Sequence, residues 1–474
     1  MGNETDRSGI VAARRAGVAE RYHFSGIAGA GMNPLARLMR ARGHEVQGSD
    51  RSFDQNKNQE LAACLRRLGI AVKPHDGTAV TPAIDRFVYS TAVEPGTPEM
   101  CAARAHAIEL VPRPRLLAEV VDAGRPGVAI AGTAGKSTIA GIVAWLVREA
   151  GQSVTVLGGS ALVGEDAAGC FVAGPPAGPV VAEACESDGS LAGYRPAIGL
   201  VHNISRDHGE LPVLRPQFAT FAAQCGRLLV NARCPEADAL GREFKATSYG
   251  ASPTADIPLA VVSVGPDRAR GRLRVAGGEL MLDVPQPGLH NLENAAAAAV
   301  VASELGMDPR TVETMVSRFP GVARRFEVIG TTGSGIRVVD DYAHNGEKIR
   351  AAITTAQAGA PRVVIVFQPH GFGPARFLRP ELKELLPKVL RPQDRFCYAE
   401  IFYAGGSVAT DISSLELTRD LPTGLRCHYA ADHEAVRQWI LGEARRDDTV
   451  LIMGARDPDL PSLARRVFAA LTAA

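Results

Sequence analysis

The chain has 474 residues, more than one comfortable core, so about two to four domains are expected. Acidic and basic residues nearly cancel to a net charge of +1, which excludes a broad basic surface for nucleic acid and an acidic tail. The eight cysteines are scattered without a C-x-x-C pair, which argues against a disulfide framework or structural zinc and for a reducing cytoplasm. Residues 1–18 lack the apolar centre of a signal peptide, and no apolar run approaches the ~20 residues of a membrane span. A cytoplasmic protein with no membrane partner is expected, as a monomer or homodimer.

Tyr22 to Ile27 reads as a strand entering a glycine turn at Gly26, Gly29 and Gly31. A helix through Met39 and a strand Glu45–Gly48 ending at Asp50 complete an opening βαβ unit. Pro34 stands where a dinucleotide fingerprint has its third glycine. A redox cofactor, a ligand-free turn and another nucleotide or diphosphate all remain open from this turn alone. Alternation continues through Phe87–Ser90 to a helix near Leu116–Asp122, and Gly124-Arg125-Pro126-Gly127 reads as a linker.

Gly127–Ala131 is an apolar strand, and apolar residues recur at helical spacing at Ile139, Ile142, Val143 and Leu146. Between them lies Gly132-Thr133-Ala134-Gly135-Lys136-Ser137-Thr138, a phosphate-binding loop whose outermost glycine is replaced by Ile130. Its glycines let backbone N–H groups converge on phosphate, and the new helix adds its positive end. Lys136 can reach the β- and γ-phosphates and Ser137 can hold Mg²⁺, so ATP binding is expected.

Strands follow at Val154–Leu157, Val180–Ala182 and Ile198–His202, then short strands and turns over 250–288 and an Ala-rich helix over 291–305. A second boundary falls near Phe319-Pro320-Gly321-Val322, beyond which strands at 338–339, 363–367, 395–398 and 449–453 alternate with helices. The expected domains are 21–123, 124–321 and 322–474.

Several polar clusters end apolar strands, where α/β proteins bind ligands. Glu183-Ala184-Cys185-Glu186-Ser187-Asp188 and His202-Asn203-Ile204-Ser205-Arg206-Asp207-His208 suit a divalent cation held against phosphate, although each also fits a solvated loop. His290 to Asn294 opens a helix, where asparagine serves either as a cap or as an amide for a purine edge. Arg324-Arg325-Phe326-Glu327 beside the second boundary can clamp phosphate on closure. Asp340 to Asn345 and Gln368-Pro369-His370-Gly371 end two further strands.

Taken in order, these segments resemble the Mur ligase family, and within it the branch that adds L-alanine to UDP-N-acetylmuramate. The resemblance runs from Tyr22 to about Leu471 and includes Gly26 to Met32, Gly48-Ser49-Asp50, Ser90-Thr91-Ala92-Val93, the loop 132–138, Glu186 to Ser190, Asn203 to His208, His290 to Asn294, Arg324 to Glu327, Asp340 to His344 and Phe367 to His370. It implies an α/β fold of three domains: N-terminal Rossmann-like, central P-loop ATPase-type with a parallel sheet, and C-terminal Rossmann-like. It also implies that ATP phosphorylates a substrate carboxylate and that an amino acid's amine then displaces phosphate to form an amide, a step in peptidoglycan precursor synthesis.

By the same resemblance Lys136, Glu186, His208, Arg325 and His344 are catalytic, and Ser137, Glu186 and His208 hold Mg²⁺. Gly132, Thr133, Gly135, Lys136, Ser137, Thr138, Asn291, Asn294, Arg325 and Asp341 bind ATP, with Asn294 toward adenine and Asp341 toward the ribose side. Gly29, Ala30, Gly31, Met32, Asp50 and Ser90 face the UDP sugar, while His344 and Arg376 face the substrate. Alternatives are a Mur-like ligase joining a peptide or another amino acid, as in wall recycling, and a nonenzymatic nucleotide-binding partner. Four departures fall at the amino-acid end. Asn345-Gly346 replaces the usual His-Pro, Gly371-Phe372-Gly373-Pro374 intervenes before Arg376, Tyr403-Ala404-Gly405-Gly406 lacks a glutamate, and Gly209-Glu210-Leu211-Pro212 follows His208.

Overall fold

The computed structural model describes residues 19–90, 93–165, 169–186, 189–205, 210–275, 277–403, 410–422 and 424–473. His208, Thr91-Ala92, Ser187-Asp188, Arg206-Asp207, Gly209 and Ala404-Gly405-Gly406 lie outside them.

Three sheets follow one another along the chain. The first has strands β1 (Arg21–Ser25), β2 (Glu45–Ser49), β3 (Ala71–Lys73), β4 (Arg86–Tyr89) and β5 (Glu109–Pro112), all parallel in the order β3-β2-β1-β4-β5. Its helix Met32–Ala41 turns Leu35, Ala36, Leu38 and Met39 inward, the apolar face that the sequence periodicity defines.

The central sheet holds β6 (Gly127–Ala131), β7 (Thr155–Gly158), β8 (Cys170–Val172), β9 (Val180–Glu183), β10 (Ile198–Val201), β11 (Arg227–Asn231), β12 (Thr247–Gly250), β13 (Ile257–Val264), β14 (Ala269–Val275) and β15 (Gly278–Val284). β6, the P-loop strand, lies between β10 and β9, and every residue of it is buried. A parallel strand covered on both faces must be apolar along its whole length, as Gly-Val-Ala-Ile-Ala is. The stretch over 250–288 is more regular than expected: β13, β14 and β15 form an antiparallel meander of eight- and seven-residue strands. β14 alternates buried and exposed residues, with arginines outward at 270, 272 and 274, and this period of two overrides its polar composition. The Ala-rich helix Leu289–Glu304 is buried along most of its length against the P-loop helix Lys136–Glu149 and the meander.

The third sheet comprises β16 (Glu327–Thr331), β17 (Arg337–Asp341), β18 (Val363–Gln368), β19 (Arg395–Ala399), β20 (Cys427–Ala430) and β21 (Thr449–Gly454), in the order β16-β17-β21-β18-β19-β20. Helices Gly346–Ala358 and Phe372–Val389 share one core with its first face. Helices His433–Glu443 and Leu460–Ala473 cover the other. β21, the last strand made, is therefore inserted between β17 and β18, and the three carboxyl ends open side by side.

Candidate active site

The phosphate-binding loop is shaped by its two glycines, with Gly132 at φ 142° and Gly135 at φ 87°, which side chains rarely adopt. A Cβ on Gly135 would run into Asn294 Oδ1 and sit 3.0 Å from His202. Asn203 staples the loop, accepting from Ala134 N–H at 2.8 Å and donating back to the Ala134 carbonyl at 3.1 Å. Thr133 is tied to Ser205 by the Ser205 N–H at 2.9 Å.

Lys136, at the start of its helix, donates to Glu186 Oε2 at 2.7 Å and to the Gly132 carbonyl. Burial pulls its ammonium down, but the carboxylate of Glu186 and its neighbours outweigh this and raise its pKa. The Ser137 hydroxyl donates to Glu183 Oε2 at 3.1 Å, and Glu183 Oε1 accepts from Gly159 N–H at 2.6 Å. Thr138 is buried one residue further on. Glu186 Oε1 is buried with no hydrogen-bond partner among the described residues.

Arg325 reaches this loop from the far side of the second boundary, donating through Nη2 to Ser137 Oγ at 3.3 Å. Its delivery is built into the backbone. Ala323 N–H donates to the Ala161 carbonyl at 2.9 Å and Val163 N–H to the Gly321 carbonyl at 3.0 Å, while Val322 packs against Gly141 of the P-loop helix. Beyond this clasp, Asp341 Oδ2 accepts from Phe326 N–H and Oδ1 from Ala343 N–H, both at 2.7 Å. The guanidinium carbons of Arg324 and Arg325 lie 5.0 and 5.1 Å from the Tyr342 ring centroid. Both oxygens of Asp341 are thus committed to backbone around Arg325, a use the sequence reading does not anticipate. Ser205 Oγ also donates across the boundary to Glu347 Oε2 at 2.6 Å.

At the carboxyl end of the third sheet, His344 Nδ1 lies 2.8 Å from the Tyr342 carbonyl, and the His344 and His370 ring centroids are 5.6 Å apart. Asn345 caps the next helix by accepting from Lys348 N–H at 2.9 Å. Arg376, five residues into helix Phe372–Val389, pairs with Asp411. Asn291 does not cap its helix: Gly288 holds the cap position and the Asn291 amide donates to the Pro287 carbonyl at 2.9 Å. A donor-bearing amide in the first turn serves the preceding carbonyl rather than the helix N–H groups. Asn294 is buried one turn on, within 3.5 Å of Asn291 Oδ1.

In the first unit, Asp50 Oδ2 accepts from Ala28 N–H at 3.0 Å while Oδ1 caps Arg51–Asp54 through Ser52 N–H at 2.9 Å. This carboxylate fixes the glycine turn. Gly29, Ala30 and Gly31 form that turn, Met32 begins the helix buried, and Arg113 lies against Gly31. The amide of Asn33 is buried with neither atom hydrogen-bonded among the described residues. The Ser90 carbonyl accepts from Val93 N–H at 2.9 Å at the end of β4.

Profiles of three families match in this order: Mur ligase family, catalytic domain, over 21–125; Mur ligase middle domain over 130–302; and Mur ligase, glutamate ligase domain, over 324–456. A UDP-N-acetylmuramate–L-alanine ligase of Kineococcus radiotolerans is 37% identical over 92% of this chain and 93% of its own length. The chain belongs to the Mur ligase family. A UDP-N-acetylmuramate–L-alanine ligase of Halorhodospira halophila is 33% identical over 93% of this chain and 91% of its own. In fold, this Mur ligase superposes on a UDP-N-acetylmuramate-alanine ligase of Thermotoga maritima with TM-score 0.76 at 24% identity, covering 96% of this chain and 99% of the other. A murein peptide ligase of Psychrobacter arcticus gives 0.70 at 22% identity, with the same coverage.

Two features of this Mur ligase escape sequence reasoning. Glu183 is visible only as the first carboxylate of a polar cluster, yet it holds the P-loop serine. Glu99, fully buried in the first unit, accepts from His23 Nε2 at 3.0 Å, Ser25 Oγ at 2.6 Å, His75 Nδ1 at 3.0 Å and Ser49 Oγ. Its donors come from β1, from β2 and from the loop after β3, so no local pattern signals it.

Proposed function

We propose that this Mur ligase uses ATP to join L-alanine to the carboxylate of UDP-N-acetylmuramate, as a step in peptidoglycan precursor synthesis. The observation that carries the reading is the Arg325–Ser137 contact at 3.3 Å, which makes one site from the P-loop and the third sheet. The names of the curated relatives supply the substrates, and they favour a single amino acid over a peptide.

A carboxylate is a poor electrophile. Its oxygen attacks the γ-phosphorus of ATP, ADP leaves, and an acyl phosphate forms. The amine of the amino acid, having lost a proton, attacks the acyl carbon, and the tetrahedral intermediate expels phosphate to leave the amide. Positioning and charge neutralisation supply most of the catalysis. Lys136 exchanges Glu186 for the β- and γ-phosphates, and Arg325 faces the transferring phosphoryl group from the third unit. In this reading Asn294, which packs against Gly135, serves adenine, His344 the amino acid, and Gly29 to Met32 with Asp50 and Ser90 the UDP sugar.

The donors near Ser137 fit Mg²⁺: a hydroxyl, the unpartnered Glu186 Oε1 and the carboxylate of Glu183 are hard oxygen ligands. Ser137 and Glu186, with His208 beyond the described residues, would hold it. Among the described residues no cluster of three or more His, Cys, Asp or Glu is arranged for a metal, so phosphate and water oxygens would complete the shell. When bound, Mg²⁺ would neutralise charge across the phosphates. We place the reaction in the cytoplasm: all eight cysteines are free thiols, and no described helix is long and apolar enough to cross a membrane.

The test is phosphate release with Mg-ATP and UDP-N-acetylmuramate across a panel of single amino acids, with mass spectrometry of the product. A product heavier by one alanine residue is expected. Release only with a peptide, or without any amine, overturns the reading.

A further inference from the structure

β21 leaves the third sheet through a turn that its own residue disfavours. Asp457 N–H donates to the Ala455 carbonyl at 2.6 Å, so Arg456 is the centre of a γ-turn, with φ 55°. Such turns are rare, and a side chain at positive φ adds strain that persists only where the surroundings impose it. Here they do. The buried Asp457 carboxylate lies 3.1 Å from His433 Nε2 and accepts from Asp459 N–H at 2.9 Å, and the Gly454 carbonyl accepts from Arg324 Nη2 at 2.7 Å. Glycine would occupy this position without strain, yet the chain keeps a guanidinium.

The turn's place in the sheet gives that guanidinium a use. β21 lies between β17 and β18, whose following loops carry His344 and His370. The helices after β17 and β18 cover one face and the helix after β21 the other, so the chain diverges here and opens the crevice where α/β sheets bind ligands. Arg456 is exposed and has no ion pair among the described residues. Gln368, at the end of β18 and 3.4 Å from His433 Nε2, has its Oε1 buried without a hydrogen-bond partner. Arg376, the arginine displaced along the chain at this end, is already paired with Asp411. An exposed cation two residues beyond Gly454, the register partner of Gln368, complements the carboxylate of a free amino acid.

We propose that Arg456 receives the carboxylate of the incoming amino acid, which makes it a residue that determines acceptor specificity. The assignment presupposes the amino-acid ligase reading above.

The experiment compares L-alanine with L-alaninamide, which keeps the amine and lacks the carboxylate, at saturating Mg-ATP and UDP-N-acetylmuramate. It uses the wild type, Arg456→Gly and Arg456→Lys. Arg456→Gly is expected to raise KM for L-alanine by about 10- to 100-fold, the loss of a charge-assisted contact. KM for ATP and turnover of alaninamide should be unchanged, and Arg456→Lys should fall between. The glycine variant should melt no lower than wild type, because glycine relieves the turn. An unchanged KM for alanine, an equal loss with alaninamide, or a rise confined to KM for ATP overturns the assignment. Absence of amide formation by the wild type with every amino acid instead overturns the ligase reading, and Arg456 with it.

Discussion

Arg325 and Ser137 stand 188 positions apart in the chain, and a hydrogen bond of 3.3 Å joins the segment that leads into the third sheet to the P-loop helix. The clasp of residues 321–323 on 161–163 holds the backbone that delivers Arg325, and Asp341 fixes the loop beyond it. Arg325→Ala is therefore expected to lower kcat by roughly 10²–10³-fold with a small change in KM for ATP, as for loss of one donor to developing charge. Asp341→Asn should move kcat in the same direction by less, since only the loop's anchoring weakens. Steady-state kinetics on both variants check this, and a wild-type kcat for Arg325→Ala would remove Arg325 from the phosphoryl-transfer site.

Lys136→Ala should abolish ATP-dependent product formation. It should also destabilise the ligand-free protein by about 3–5 kcal/mol, because Glu186 is left as a buried charge without its partner. Adding Glu186→Gln should restore most of that stability while the enzyme stays inactive. Denaturant unfolding and phosphate release separate the two effects, and substantial retained ligation would sink the P-loop assignment.

Glu99 is a stability prediction with a defined pH sign. Burial alone would raise its pKa, but the hydrogen bonds from His23 and His75 outweigh burial and hold the carboxyl well below its ordinary 4.5. A carboxylate depressed on folding stabilises above its unfolded pKa, and this contribution is lost as pH falls through the folded value. His75 is raised above 6.5, chiefly by its bond to Glu99, so its contribution is present below the unfolded value and is lost as pH rises through the folded one. Glu99→Gln should cost about 3–5 kcal/mol near pH 6 and less at alkaline pH, where His75 is neutral in both states. A cost that does not vary over pH 6–9 would show that His75 carries no charge there.

His202 has the opposite pH sign to His75. It is buried, shares a 2.8 Å hydrogen bond with the Tyr249 hydroxyl, and burial pushes its pKa down to about 4. Between its unfolded 6.5 and that value the unfolded chain binds a proton that the folded protein refuses, so stability falls as pH falls. The contribution amounts to up to about 3 kcal/mol. His202→Asn should be less stable at pH 7, and its stability should fall less steeply toward pH 4.5 by about one proton. Parallel pH–stability curves for the two proteins would exclude this.

The sequence by itself determined the phosphate-binding loop, the order of the three α/β units and the family. Each depends on short-range constraint. Gly132 and Gly135 set a backbone path that other residues resist, and an apolar run such as Gly127–Ala131 must be buried on both faces. Only the tertiary structure decided how the polar groups are spent. Asp341 turns both oxygens onto backbone amides, Asn291 serves Pro287 rather than capping, and Glu183, 46 residues away, holds Ser137. Glu99 gathers His23 and Ser25 from positions 76 and 74 residues away. Arg456 becomes meaningful because β21, last in the chain, inserts between β17 and β18. Hydrogen bonds and ion pairs act over about 3 Å whatever the separation in sequence, so their partners follow from strand order and crossovers, which local patterns do not encode.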